Sequence, residues 1–581
     1  MKKFLLPLLL GALLQSCLKS KQENIIPPLS TVNTAPSSIR LFNLSASALD
    51  IEVNNYPLTS FASNLSTGET ALGQTLFPTG VWPSSPNGTP VTLPQVLLDK
   101  NNQAHVHILS RTGIGQQTPI LIDTILQNDP AQPKDYYITD NNTHLIVQNQ
   151  NNTPPVQAQD FKIRIINLGA PGDPLNLYGS VTLTYADGTP VSPATTGVAP
   201  GVTGNYVELP YGANEFKLFL SGGAQIDVTR QLAELPLHPN YDPCGSIPPQ
   251  EAIFPQLRTY KPGGVYSLVI TTNLFNYWAC NSGRTSEVGV FLNAYRVITE
   301  LTPGNNITFA RMQGVNALQT GPLTFQVDGQ PLGNALGFGQ ASDYSIFVQG
   351  SHQISVLDAG GKTLVQKSIT LYPYDNYALW AYPDPDGTPD LDFASVDMTG
   401  YAYLSRPNNS TGYDDGTSGS LRILQVPYAW ETRFLNLAPD LPYATFTNDS
   451  VLLTAGQTAG DSTIYAASCV NMAPGFMPAV NPYVAYSLPY VAPQDANPQI
   501  QGSMRPPAVI RAYSSSPGPE VEIPGTLLTQ VAPMYGSKGF VANPALYTNG
   551  LLPLGEPGAY TLALIGKVSS GAQLIVIKHN K

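Results

Sequence analysis

The sequence predicts an all-β chain of tandem sandwich domains, and three observations carry that expectation. The 581 residues include 50 glycines and 54 prolines, and only 12% are charged, a profile of many turns and short strands. In "FKIRIIN", Phe161, Ile163 and Ile165 alternate with Lys162 and Arg164, which is the period of a half-buried strand. Finally, "RLFNL" at Arg40, "RIINL" at Arg164 and "RFLNL" at Arg433 use three of the 13 arginines in one motif. An eroded copy, "RMQGV", begins at Arg311. These starts lie a domain's length apart, too far for a solenoid.

In chain order, Lys2 and Lys3 precede the apolar run "FLLPLLLGALL". It is shorter than the ~20 residues a membrane span needs and reads as a secretory signal, 1–16. It closes on "LQSC", Leu14 to Cys17, which resembles the lipobox of bacterial lipoproteins. That resemblance implies that Cys17 becomes the acylated N-terminus. Residues 17–37 are polar and rich in Pro, Ser and Thr, a tether that lifts the rest from the lipid surface. Four repeats follow, at 38–147, 160–300, 301–405 and 421–581, the second with an insert and the fourth with a long Pro- and Tyr-rich one.

Two further landmarks recur. "YVELPYGANEFKLFL" from Tyr206 and "YSIFVQGSHQISVLD" from Tyr344 each place Gly six positions after Tyr. In the first copy Val96, Asn102, Val106 and Ile108 take the matching places. The expectation is a hairpin, because Gly and Asn both tolerate the positive φ of its turn. Each unit then ends on a turn-former, Tyr and an apolar strand: "PKDYYI" at Pro133, "PGGVYSLVI" at Pro262, "PYDNYALWA" at Pro373 and "PGAYTLALI" at Pro557. Asn167 closes its strand, where its amide reaches the backbone of the following "GAPGDP" loop. The repeated Arg and Asn therefore read as scaffold residues.

The order R-apolar-apolar-N-L, the "VDG" at Val327 to Gly329, the Tyr-to-Gly segment and the closing Pro-to-Tyr strand resemble the domain of unknown function 4397. The third copy matches best. The resemblance implies immunoglobulin-like β-sandwiches in tandem on a lipoprotein of the Bacteroidota type. It assigns no catalytic residue.

"QNQNNTPPVQAQ" (Gln148 to Gln159) and "PNNSTGYDDGTSGS" (Pro407 to Ser420) read as linkers. The long fourth-copy insert supplies Phe476, Tyr483, Tyr486 and Tyr490 as candidate ligand contacts, since aromatic side chains give area at low entropic cost. Cys244 and Cys280 are near enough to share a domain, and an exported compartment permits a disulfide between them; Cys469 is then a buried thiol.

The net charge of −11 has no basic stripe, which excludes nucleic acid as a partner. No nucleophile elbow, H-E-x-x-H pair or phosphate loop occurs. "GDS" at Gly460 lacks the downstream Asp-x-x-His of esterase chemistry. His105 and His107 share one strand face and read as exposed histidines, with no metal expected. Asp384, Asp386, Asp390 and Asp392 offer oxygen ligands for calcium but depart from the EF-hand pattern. No cofactor is implied. The expectation is a non-enzymatic lipoprotein of the outer membrane, on its surface or periplasmic face, anchored by lipid and acting in adhesion or as an interaction module with an envelope protein. The alternative is a glycan-binding accessory lipoprotein of polysaccharide uptake.

Overall fold

A computed structural model describes residues 35–45, 49–58, 90–110, 120–139, 145–150, 153–172, 176–221, 231–234, 257–281, 284–304, 306–373, 375–397, 429–448, 450–452, 469–476, 483–487, 509–518, 523–546 and 555–581. The expected signal, Cys17, nearly all of the tether, and the linker 407–420 lie outside them. Strands dominate, as the alternation and turn content predict, and their sheets fall into four sets.

Each set begins on a leading strand that carries the repeat. That strand runs parallel to the closing Tyr strand of the same unit. Pro36–Asn43 pairs with Lys134–Ile138, and Asp160–Asn167 with Val265–Asn281. Phe309–Asn316 pairs with Asp375–Pro383, and Ala429–Leu437 with Gly558–Ile565. This parallel pair sits in the middle of a four- or five-stranded sheet. A facing layer covers it. In the first module that layer contains Leu49–Val53 and Gln103–Ser110, in the third Thr324–Val327 and Gly350–Leu357, in the fourth Ala444–Asn448 and Val509–Ser514. The second module splits the layer into two short pairs, Val181–Thr184 with Lys217–Leu220 and Gly212–Asn214 with Arg258–Tyr260.

Period-two alternation gives each leading strand two apolar faces. Phe161, Ile163 and Ile165 point into the core of their own module, among Leu183, Leu218 and Leu268. The opposite face is buried too, but against another module. Phe42, Leu44 and Tyr137 of the first module pack with Ile166, Val269 and Ile298 of the second, with the Phe42 and Tyr137 rings stacked at 4.8 Å. In the same way Val315, Ala378 and Trp380 of the third pack with Leu435, Ala563 and Ile565 of the fourth. Full burial of one such side chain is worth about 1.5–3 kcal/mol. The modules therefore associate back to back, first with second and third with fourth.

Three expectations need correction. The Tyr-to-Gly segments are not hairpins. Ser345–Val348 pairs with the leading strand, whereas Gly350–Leu357 pairs with Thr324–Val327 and Thr363–Leu371 in the other sheet. The segment carries the chain from one layer to the other, and in the first module Val91–Pro94 and Gln103–Ser110 do the same. Asn102 has φ 59° and Gly350 φ 126°, as their residue types predict, but positive φ suits a crossing as well as a hairpin. The true hairpin is "VDG": Asp328 and Gly329, both at positive φ, join Val327 to Gln330, the turn that matches strand twist.

In the third copy the strand register equates Gln313, not Arg311, with the repeat arginine. Tyr377 lies opposite Met312, four residues before Asn316, as Tyr266 lies opposite Ile163, four before Asn167. Nor is Gln148–Gln159 a loose linker over its described residues. The Gln150 side chain donates to the Ser38 and Lys134 carbonyls, Gln148 accepts from Thr203, and the Tyr211 amide donates to the Gln159 carbonyl.

Candidate functional site

The repeated asparagine is a clamp. In all four modules its Oδ1 accepts the amide two residues on: Ser45, Gly169, Leu318 and Ala438. In three, its Nδ2 donates to two loop carbonyls, those of Gly179 and Val198, Gly321 and Leu336, or Leu441 and Met472. The second carbonyl of each pair also accepts from a facing-layer segment, at Val181, Leu323 or Ala444. One buried amide thereby ties the strand end, the loop and the opposite layer together, as the strand-end reading of Asn167 anticipated.

The repeated arginine serves the junctions. Arg40 reaches Asp135 with Nε and Nη2, both at 2.7 Å, and donates from Nη1 to the Glu300 carbonyl at 2.6 Å. Arg164 donates to Glu300 Oε1 at 2.8 Å and to Ser267 at 2.9 Å, and lies over the Tyr206 ring. Ser267 and Tyr206 also donate to the Glu300 carboxylate. Guanidinium forks from two modules thus converge on Glu300, each satisfied by bidentate or charge-assisted contacts. Burial lifts the Asp135 carboxyl to about 6 against the pull of Arg40. A second buried layer joins modules two and four. Lys217 meets Glu556 at 2.6 Å and Lys578 meets Glu215 at 2.8 Å, while the Glu215 amide donates to the Lys581 carbonyl.

Where modules two, three and four meet there is a cavity of about 300 Å³, lined in part by Asn214, Arg311, Gln313, Tyr344, Lys578 and His579. Arg311 holds its walls together through the Tyr211 and His579 carbonyls and Asn376, with its guanidinium over Tyr344. A Cβ at Gly212 would overlap that guanidinium, so a side chain there would have to displace Arg311. His579 is fully buried, and burial with Arg433 and Arg311 nearby pushes its pKa down to about 3. Its Nδ1 bonds Tyr344 Oη at 2.6 Å and its Nε2 bonds Thr561 Oγ1 at 2.7 Å. A neutral imidazole with both nitrogens engaged fixes three strands; it is not poised for proton transfer.

The sequence-predicted contacts scatter. Phe476 is 49% exposed. Tyr483 and Tyr486 lie not in a loop but on the edge strand Tyr483–Ser487, in register with Arg433 and Trp430, and Tyr490 is outside the described residues. Exposed aromatics of the described chain, such as Tyr56, Tyr178, Tyr372 and Tyr535, are spread over all four modules. Cys280 pairs by backbone with Thr285 near the end of a long strand; Cys244 is outside the described residues, and with it the disulfide. Cys469 is a buried thiol of the fourth core, pushed up to about 12 by burial. The acidic run is divided: Asp384 accepts from Asp386 and Thr388 within its turn, and Asp390 pairs with Lys367 at 2.6 Å. His105 and His107 lie on the solvent side of Gln103–Ser110, beside Asp123.

No family model and no curated protein matches this chain. A solved structure, the Bacillus anthracis TIE protein, aligns over 59% of this chain and 49% of its own length at 9% identity, with a TM-score of 0.10. The chain thus spans about half the length of that protein, and a likeness so slight assigns neither fold nor function.

Proposed function

We propose that the chain is a non-enzymatic, lipid-anchored protein of the cell envelope whose four immunoglobulin-like β-sandwich modules form a stiff scaffold for adhesion or for docking an envelope partner. The observation that carries this reading is how the modules join. Apolar faces, the Arg40 bond to the Glu300 carbonyl and the buried Lys217–Glu556 ion pair lock neighbouring modules instead of leaving hinges between them. A domain pair held by a large apolar face moves little, and stiffness suits a spacer or platform. The site chemistry agrees, because the cavity's imidazole is consumed by structure. The "LQSC" run supplies the anchor, with Cys17 acylated. Cells fed an alkyne-tagged fatty acid test the anchor: the native chain is expected to incorporate the tag, Cys17→Ala to lose it, and equal labelling of both to defeat the proposal. A glycan array tests the role. Specific saccharide binding lost in a Tyr483→Ala, Tyr486→Ala double variant would replace adhesion by glycan capture.

A further inference from the structure

We propose that the solvent face of the first module carries a zinc-type divalent cation site made of His105, His107 and Asp123, oriented by Glu52. Among the described residues this is the one group whose ligand atoms, one from each of three residues, gather within 4.8 Å. The placement follows from strand register. Glu52, His107 and Asp123 stand directly opposite one another on three adjacent antiparallel strands. His105 lies two residues from His107, hence on the same face. Their inward neighbours Val106 and Ile108 are buried, which fixes that face toward solvent.

The distances fit coordination. A tetrahedral ion with bonds of 2.0–2.1 Å sets its ligand atoms about 3.3–3.4 Å apart. His105 Nε2 and His107 Nε2 are 3.2 Å apart, and His107 Nε2 lies 3.5 Å from Asp123 Oδ1. The third edge, His105 Nε2 to Asp123 Oδ1, is a 2.5 Å hydrogen bond. One proton holds it closed, and an entering cation displaces that proton and opens the edge by just under an ångström. The remaining ring nitrogen of His107 faces the Glu52 carboxylate at 3.6 Å. A shift of just under an ångström brings that carboxylate into hydrogen-bond range, where it would set the imidazole's tautomer and leave the Nε2 lone pair for the metal. Two imidazoles and one carboxylate suit zinc, with a fourth position left to water. Side-chain exposures of 44% for His105 and 59% for Asp123 leave that position reachable.

The site is independent of the anchor and of the junctions, so it stands or falls separately from the proposed function. The test is a zinc titration of the full chain in detergent, stripped with chelator, alongside cobalt absorption spectroscopy. One equivalent of Zn²⁺ is expected, and Co²⁺ is expected to give the intense visible bands of a tetrahedral site. His105→Ala and His107→Ala should each weaken binding at least 100-fold, and Asp123→Asn should also weaken it. Glu52→Gln should weaken it about 10-fold while keeping the cobalt bands, as expected of a residue that positions a ligand. His352→Ala, another surface histidine beside a carboxylate, should change nothing. Metal-free melting curves that match the native chain establish that the variants fold. Absence of stoichiometric zinc uptake, or uptake indifferent to His107→Ala, overturns the assignment.

Discussion

Replacing Asn316 tests the clamp most directly. Asn316→Ala removes three hydrogen bonds: to Gly321 O at 3.1 Å, to Leu336 O at 2.8 Å and from Leu318 N at 2.8 Å. The Leu336 carbonyl keeps the Leu323 amide as a donor, so it is not stranded. The Leu318 amide belongs to a residue only 2% exposed and loses its acceptor. At about 1 kcal/mol net for each of the two carbonyl bonds, plus 1–3 kcal/mol for the stranded Leu318 amide, the loss is about 3–5 kcal/mol. Asn316→Asp separates bonding from size. It keeps the volume and the Oδ1 acceptor but turns a carboxylate oxygen toward two carbonyls, so it should cost at least as much as alanine. Urea unfolding read through tryptophan emission, with Trp380 buried in this half, measures the loss. Hydrogen exchange over residues 317–323 locates it. An Asp variant as stable as the native chain, or an Ala variant within ~1 kcal/mol of it, would refute the clamp.

Lys217→Met should destabilise the junction of modules two and four by about 1–3 kcal/mol, since Glu556 keeps the Ala542 amide and the more distant Lys578 at 3.7 Å, and adding Glu556→Gln should recover part of that; calorimetry of the full chain reads both. Asp135 titrates near 6 when folded, above its ordinary 3.8. The folded state therefore holds this proton more tightly, and the associated stabilisation is complete below about 3.8 and lost as pH rises through about 6. Asp135→Asn should abolish that component, seen as a difference in the pH dependence of Tm between pH 4 and 7. Gly314→Ala should cost about 1–3 kcal/mol, because its Cβ would lie 2.7 Å from the Phe325 ring; denaturant melts that coincide with the native chain would contradict that overlap.

The β class, the leading and closing strands and the structural role of Asn167 were legible in the sequence because each depends on residues close together in the chain. What alternation could not disclose was the partner of the second face. Phe42 and Ile166 read as apolar residues on a half-buried strand, yet they meet across residues far apart in sequence. The arginines have the same history: Asp135 lies 95 residues from Arg40 and Glu300 lies 136 from Arg164. The third copy misled because Arg311 and Gln313 point to the same side of one strand, so a slip of two residues keeps the alternation intact. The zinc proposal was half visible. His105 and His107 advertise a shared face, but Asp123 joins them only through the register of the next strand.

Back-to-back packing also has a bearing on how such a chain can grow or shrink. Each module offers one adhesive rear surface, and two modules satisfy each other. An odd number leaves Phe42 and Tyr137, or Ala378 and Trp380, facing water. Parity thus becomes a constraint: gain, loss or recombination should proceed in twos, and removing either pair also opens the buried Lys217–Glu556 layer.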